Sequence, residues 1–174
     1  MRIVSVSENL KIEKRIAITP EIAKKYISLG FEVSLSENYG EHLGYSDNEY
    51  KDLGVKISNN ENEVINSANI IVQLGLLSDD KISHIKENQT LVGIFNPYNN
   101  KEKMDSLVKK KINVLSLELL PRITRAQSMD ILSSQANLAG YKAVIESFAS
   151  FEKAIPMMMT AAGTIPAAKV LVVG

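Results

Sequence analysis

Four side chains with complementary chemistry, Arg122, Arg125, Gln127 and Asp130, fall within nine residues of the segment PRITRAQSMDILSSQANLAGYK, Pro121 to Lys142. Arginine presents a planar fork of donors matched to a carboxylate or a phosphate. Glutamine donates and accepts at once, which suits a primary amide such as nicotinamide. Ser128, Ser133 and Ser134 add hydroxyls near a helix start, where anions are favoured. On residue types alone the same segment also reads as a solvated polar loop with a capping serine.

A second stretch with chemical content is KVLVVG, Lys169 to Gly174. A charged residue, four apolar residues and a glycine form the usual approach to G-x-G-x-x-G, the turn that cradles a dinucleotide pyrophosphate. Gly174 is therefore a candidate cofactor contact, and the sequence reads as a fragment that stops where the fingerprint begins. No metal site is expected: His42 and His84 are isolated, and there is no cysteine. The absence of cysteine also removes disulfides and thiolate chemistry and fits a reducing compartment. Twenty basic and twenty acidic residues give a formal net charge of zero, so nothing draws the chain to nucleic acid or anionic lipid. No apolar run approaches the roughly 20 residues that span a bilayer. MRIVSVSENL reads as a strand start rather than a signal peptide.

The elements that must position these residues alternate between strand and helix. Strands are expected at Arg2–Val6, Phe31–Ser36, Val55–Ile57, Asn69–Leu74, Thr90–Phe95, Ile112–Leu117 and Val170–Val173. Thr19-Pro20-Glu21 opens a helix that Gly30 ends: threonine caps, proline needs no N–H at the first position, and glutamate faces the positive dipole end. Ser46 to Glu49 has capping-box spacing, with Gly54 closing a short helix. Further helices are expected near Asn60–Ser67, after Ser78, at Asn100–Lys110 and from about Ser128 to Phe151. Repeated alternation with apolar strands implies an α/β doubly wound parallel sheet. Glu152 to Lys169, with Pro156, Gly163 and Pro166, reads as a linker. Met157 to Met159 are expected to pack it, and Tyr141 to pack or to stack beside the site.

RITRAQSMD followed by LSSQANLAGYKAV is similar to the signature loop and helix of the NAD(H)-binding components of proton-translocating NAD(P) transhydrogenases. EKRIAITP, Glu13 to Pro20, resembles the opening signature shared by alanine dehydrogenases and transhydrogenases. MMMTAAGTIPAAKVLVVG, Met157 to Gly174, resembles the lead into the family's dinucleotide domain. The resemblance implies a flavodoxin- or Rossmann-like N-terminal lobe over residues 1–135. Residues 136–174 would then be a connecting helix, a linker and the start of a second Rossmann lobe. It implies that Arg122, Gln127 and Asp130 sit against the nicotinamide end of NAD(H), with Ser133 close by and Arg122-Ile123-Thr124-Arg125 lining the nucleotide. The chemistry implied is direct hydride transfer to NADP(H) held by a partner domain, so the residues position rather than react. Implied partners are an NADP(H)-binding domain, a membrane domain that carries protons, and a second copy in a homodimer. The implied place is the cytoplasmic face of a membrane, reached through those partners.

Alanine dehydrogenase is the alternative within the same resemblance. That family works on an amino acid with a lysine after the third strand region and a histidine after the next. Here the matching places hold Gln73 and Asn96, which cannot protonate a leaving amine near neutral pH. Arg15, common to both branches, is balanced between an ion pair near a helix start and a residual role. A non-catalytic interaction domain with an inherited fold is the third reading. The 174 residues alone should bind NADH weakly, because they contain neither a complete pyrophosphate turn nor the acidic ribose contact roughly 20 residues beyond it. Calorimetry with NADH checks this, and tight binding would overturn it.

Overall fold

The computed structural model describes residues 1–173. It divides into two compact units, Met1–Ser128 and Met129–Gly174, each described by itself. In the first, β1 (Arg2–Ser5), β2 (Glu32–Ser36), β3 (Lys56–Ser58), β4 (Ile70–Val72), β5 (Thr90–Gly93) and β6 (Asn113–Ser116) form one sheet. The strand order is β3-β2-β1-β4-β5-β6, and every neighbouring pair is parallel. The chain builds outward from β1 to one edge, returns beside β1 as β4, and proceeds to the other edge. This is the expected doubly wound sheet, with its switch point between β1 and β4.

Strand periodicity sends successive side chains to opposite faces, and β1 shows it. Ile3 packs with Ile18, Ala23, Val33, Leu35, Tyr39, Tyr50 and Val55. Val4 and Val6 pack with Val64, Ile65, Ile71, Leu91, Phe95 and Leu107. Helices α1 (Pro20–Ser28) and α2 (Asp47–Asp52) supply residues to the first cluster. Helices α3 (Glu61–Asn66), α4 (Asp79–Ser83) and α5 (Lys101–Lys109) supply the second.

The helix starts follow the expected chemistry. Thr19 Oγ1 accepts from the Ile22 N–H at 3.4 Å, and Ser46 Oγ from the Glu49 N–H at 3.2 Å. Gly30, at φ 85°, takes the left-handed conformation that ends α1 and that a side chain would strain. Gly93 is needed for a different reason. A Cβ there would stand 2.1 Å from the Gln73 carbonyl oxygen and 2.7 Å from the Phe95 ring, so only glycine lets β5 lie this close to the end of β4.

The second unit departs from expectation in three places. Its helix α6 spans Ile131–Ser150 with Asp130 as cap; the 3-10 turn Thr124–Met129 that precedes it lies in the first unit up to Ser128. The helix therefore starts later than Ser128, because Asp130 is the residue whose side chain meets a free backbone N–H. The stretch expected as a linker holds a hairpin, β7 (Met158–Thr160) with β8 (Gly163–Ile165), antiparallel around Ala161-Ala162. Its turn lacks the Asn-Gly or Asp-Gly pair that announces such a loop, and Met157 to Met159 are exposed. The strand expected at Val170–Val173 does not form among the described residues. Strand N–H and C=O groups need a neighbour, and β7 and β8 pair with each other. Gly174 lies outside the described residues.

Gly93→Ala is expected to destabilise the chain by about 2–3 kcal/mol through forced overpacking. The measurement is the shift in urea midpoint at unchanged slope.

Candidate functional site

All six strands of the sheet run parallel, so their C-terminal ends share one edge. The segments leaving β1, β4, β5 and β6 carry nearly every residue singled out by sequence. At the switch point lies a cleft of about 400 Å³, with Ser7, Glu8, Glu13, Gln73, Gly75, Ser78 and Lys81 in its wall.

Gln73 is the buried centre of that wall, 1% exposed. Its Oε1 accepts from the Ser5 hydroxyl at 2.7 Å and from the Val6 N–H at 2.9 Å. Its Nε2 donates to the Val6 carbonyl at 3.2 Å and to Glu8 Oε1 at 3.2 Å. The one Ser5 proton is given to Gln73, so the Tyr39 hydroxyl, 2.8 Å away, must donate to Ser5 Oγ. The Tyr39 oxygen then accepts from the Ala17 and Ile18 N–H groups at 3.0 and 3.2 Å. Burial pushes the Tyr39 hydroxyl up to about 12, so it keeps its proton throughout the physiological range.

The charged groups of the cleft are satisfied within the chain. Glu8 Oε1 accepts from the Leu74 N–H at 2.7 Å and the Gly75 N–H at 3.3 Å. Burial raises the Glu8 carboxyl above its ordinary value, and repulsion from Glu13 adds to this against those two N–H groups and Lys81. The Arg15 guanidinium donates to both oxygens of Glu13, at 2.8 and 2.6 Å. That bond is the main reason the Glu13 carboxyl lies below the usual range. Lys81 pairs with Glu61 at 2.8 Å and donates to the Ser7 carbonyl at 3.2 Å. Arg15 therefore has a structural partner within the chain.

The segment Arg122–Gln127 follows β6. Arg122, Ile123, Thr124, Arg125 and Gln127 are exposed, and Ala126 is the buried residue that anchors the turn. Among the described residues neither Arg122 nor Arg125 makes an ion pair. None of these residues lines the cleft; β6 stands two strands from β4, roughly 10 Å at ordinary spacing. In the second unit, Asp130 and Ser133 meet. Asp130 Oδ1 accepts from the Ser133 N–H at 3.0 Å, and Oδ2 from its hydroxyl at 2.6 Å. Among the described residues no group of three His, Cys, Asp or Glu side chains is placed to hold a metal. No helix there is long and apolar enough to cross a membrane.

Glu118 escaped the sequence reading. Its Oε1 accepts from the Phe95 N–H at 2.9 Å and from the Asn96 N–H, and its Oε2 from the Ser116 hydroxyl at 2.8 Å. It ties the exit of β5, where Asn96 holds a positive φ of 46°, to the turn that launches Arg122–Gln127. Burial alone would raise its carboxyl. The N–H groups of Glu118 itself, Asn96 and Phe95, with the Ser116 hydroxyl, outweigh that and hold it below the usual range. No residue pattern announces such a partner, because it joins two strand ends distant in sequence.

A six-stranded parallel sheet in this order, with a polar cleft at its switch point, defines a Rossmann-like α/β domain. Residues 5–139 match the family described as alanine dehydrogenase/PNT, N-terminal domain, and the chain belongs to that family. It is similar to the Rickettsia prowazekii protein described as the first portion of NAD(P) transhydrogenase subunit alpha, 45% identical over all of this chain and 46% of that protein. The Rhodospirillum rubrum protein of the same description is 41% identical over all of this chain and 47% of its own length. The crystal structure of transhydrogenase from Sinorhizobium meliloti superposes with a TM-score of 0.87 at 40% identity, over 95% of this chain and 50% of that one. The chain thus spans about half the length of the curated relatives it matches.

Glu118→Gln is expected to cost about 1–2 kcal/mol at neutral pH through weakened charge-assisted hydrogen bonds. Because the folded Glu118 carboxyl is depressed, its contribution is complete above the ordinary glutamate range and fades as pH falls through the depressed value. Denaturation of both forms at several pH values should show the gap closing toward acid.

Proposed function

We propose that this chain is part of the NAD(H)-binding component of an NAD(P) transhydrogenase, and that the segment Arg122–Ser133 serves the nicotinamide end of NAD(H). The observation that carries the reading is the contrast between the two parts of the sheet edge. The cleft at the switch point has its charges and amides satisfied by its own chain. Arg122, Arg125 and Gln127 instead stand exposed, with donors available for an amide and for phosphates.

The residues fit the cofactor. Gln127 would hold the carboxamide, Arg122 to Arg125 would line the nucleotide, and Asp130 and Ser133 would lie at the nicotinamide end. Gly174 would open the pyrophosphate turn. NAD(H), when bound, supplies a hydride exchanged directly with NADP(H) on a partner domain. This chain's residues orient and exclude water; none need move a proton, because hydride leaves without one. Proton translocation belongs to a membrane domain among the partners, which would place this chain at the cytoplasmic face. On the same reading residues 1–135 form the N-terminal lobe, and residues 136–174 lead into the nucleotide-binding lobe.

A homodimer is also included in the proposal. Along α6, Leu138, Tyr141, Val144, Ile145 and Phe148 recur at helical spacing on one face and are all exposed. Such a stripe is usually covered. Against the alanine dehydrogenase reading stand Gln73 and Asn96, neither able to act as acid or base.

The test uses the full-length component mixed with an NADP(H)-binding partner domain, following hydride transfer from NADH to an NADP+ analogue. Gln127→Asn and Asp130→Asn are expected to lower the rate by roughly 10- to 100-fold, as displaced reactants do. Asparagine caps a helix as well as aspartate, so a slow but stable Asp130→Asn variant separates positioning from unfolding. Unchanged rates in both variants would contradict the assignment. Oxidation of NADH with pyruvate and ammonia would hand the chain to amino-acid chemistry.

A further inference from the structure

Arg122, Arg125 and Gln127 are exposed, and among the described residues the two arginines make no ion pair. Something other than their own side-chain contacts must hold them in place. The backbone bonds of the stretch are local. The Leu120 N–H donates to the Leu117 carbonyl at 3.2 Å, the Ile123 N–H to the Pro121 carbonyl at 3.0 Å and the Ala126 N–H to the Ile123 carbonyl at 2.9 Å. Such bonds fix the shape of a turn and leave its orientation on the domain free. Two residues tie it down: the buried Ala126, and Glu118, four residues before Arg122.

Glu118 is the directional tie. Its Oε1 takes the successive Phe95 and Asn96 N–H groups, and its Oε2 the Ser116 hydroxyl. An ionised carboxylate only accepts and spreads its charge over both oxygens, so all these bonds are charge-assisted. The far side of the tie is rigid. Phe95 is 1% exposed in the core, and its carbonyl accepts from Asn100 Nδ2 at 2.8 Å. The Asn96 carbonyl accepts from the Asn99 and Asn100 N–H groups at 3.0 and 3.1 Å. The exit of β5 is thus a fixed post from which the turn after β6 hangs. On the near side, the Pro121 ring fixes φ between the mooring and Arg122, so a shift at Glu118 is carried to the arginine rather than absorbed.

We propose that Glu118 is a positioning residue for the nicotinamide chemistry: through its bonds to the exit of β5 it sets where Arg122, Arg125 and Gln127 stand, and so the alignment at which hydride passes. The inference rests on the reading that this segment serves NAD(H). Its signature is a loss of turnover without a matching loss of affinity. Displacing reacting groups by about 1 Å lowers turnover steeply, whereas the grip on NADH is shared with the rest of the full-length component. A residue that only stabilised the fold would leave the rate of the folded enzyme unchanged.

Hydride transfer from NADH to an NADP+ analogue, in the full-length component with its NADP(H)-binding partner domain, tests this in Glu118→Gln, Gln127→Asn and the double variant. Glutamine keeps the size and one acceptor oxygen but not the charge. Glu118→Gln is expected to lower kcat by roughly 5- to 20-fold, with KM for NADH within about twofold of wild type. Because both residues act on one alignment, the double variant should be no slower than the slower single variant. Thr19→Ala removes the cap of α1, which packs in the cluster around Ile3; it controls for lost stability and should keep the wild-type rate. If Gln127→Asn slows transfer and Glu118→Gln does not, the proposal is overturned while the reading of the segment stands. Losses that multiply in the double variant would also overturn it, since Glu118 would then act elsewhere. Normal rates in Gln127→Asn would overturn the reading, and the proposal with it. Should Glu118→Gln fail to fold, Ser116→Ala decides. It removes the bond to Oε2 and should lower kcat about two- to threefold at constant KM; an unchanged kcat would overturn the proposal.

Discussion

The amide of Gln73 joins what the sheet order alone leaves unjoined. β1 and β4 are neighbours across the point where the chain reverses its direction of growth, and their register covers only Ile3 with Ile70 and Val4 with Ile71. Beyond that register the strands diverge, and Gln73 fills the gap with four hydrogen bonds to Ser5, Val6 and Glu8. From Ser5 the chain of bonds continues through Tyr39 to the N–H groups of Ala17 and Ile18, which lead into α1. One buried amide thus ties the exit of β1 and the loop after it to the exit of β4, while the backbone carbonyl of the same residue lies against Gly93 of β5.

The same constraint explains why the polar groups at the switch point, usually the place where such sheets bind ligands, are already partnered here. A buried polar group is tolerated only when its hydrogen bonds are met. In this cleft every one is met from within: Glu13 lies in the fork of Arg15, Glu61 pairs with Lys81, and Glu8 receives the turn after β4. The residues with donors to spare have moved along the edge to the segment after β6, which Glu118 moors to the exit of β5.

Much of this was legible in the sequence, for definite reasons. Strand-helix alternation predicted the doubly wound sheet, since buried parallel strands must be apolar and helices must cover both faces. Thr19-Pro20 and Ser46 announced helix starts because caps are local chemistry. What stayed hidden depended on distant partners. Glu8 is a single carboxylate in a loop and Glu118 one in a short 3-10 turn, and their roles arise only when strands far apart in sequence end side by side. The β7–β8 hairpin hid behind an Ala-Ala turn, and Val170–Val173 reads as a strand by composition yet finds no strand beside it among the described residues. The segment from Arg122 to Ser133 stood out by residue type and by resemblance, whereas its 3-10 turn and the capping role of Asp130 did not.

On the proposed reading, nicotinamide chemistry belongs to the segment after β6 and not to the cleft at the switch point. Side-chain amide resonances of Gln127 and Gln73 separate the two places, in the isotope-labelled full-length component titrated with NADH. The Gln127 amide is expected to shift with saturation while the Gln73 amide stays fixed in its buried network. A Gln73 amide that moves while Gln127 stays still would contradict this and return the chemistry to the cleft.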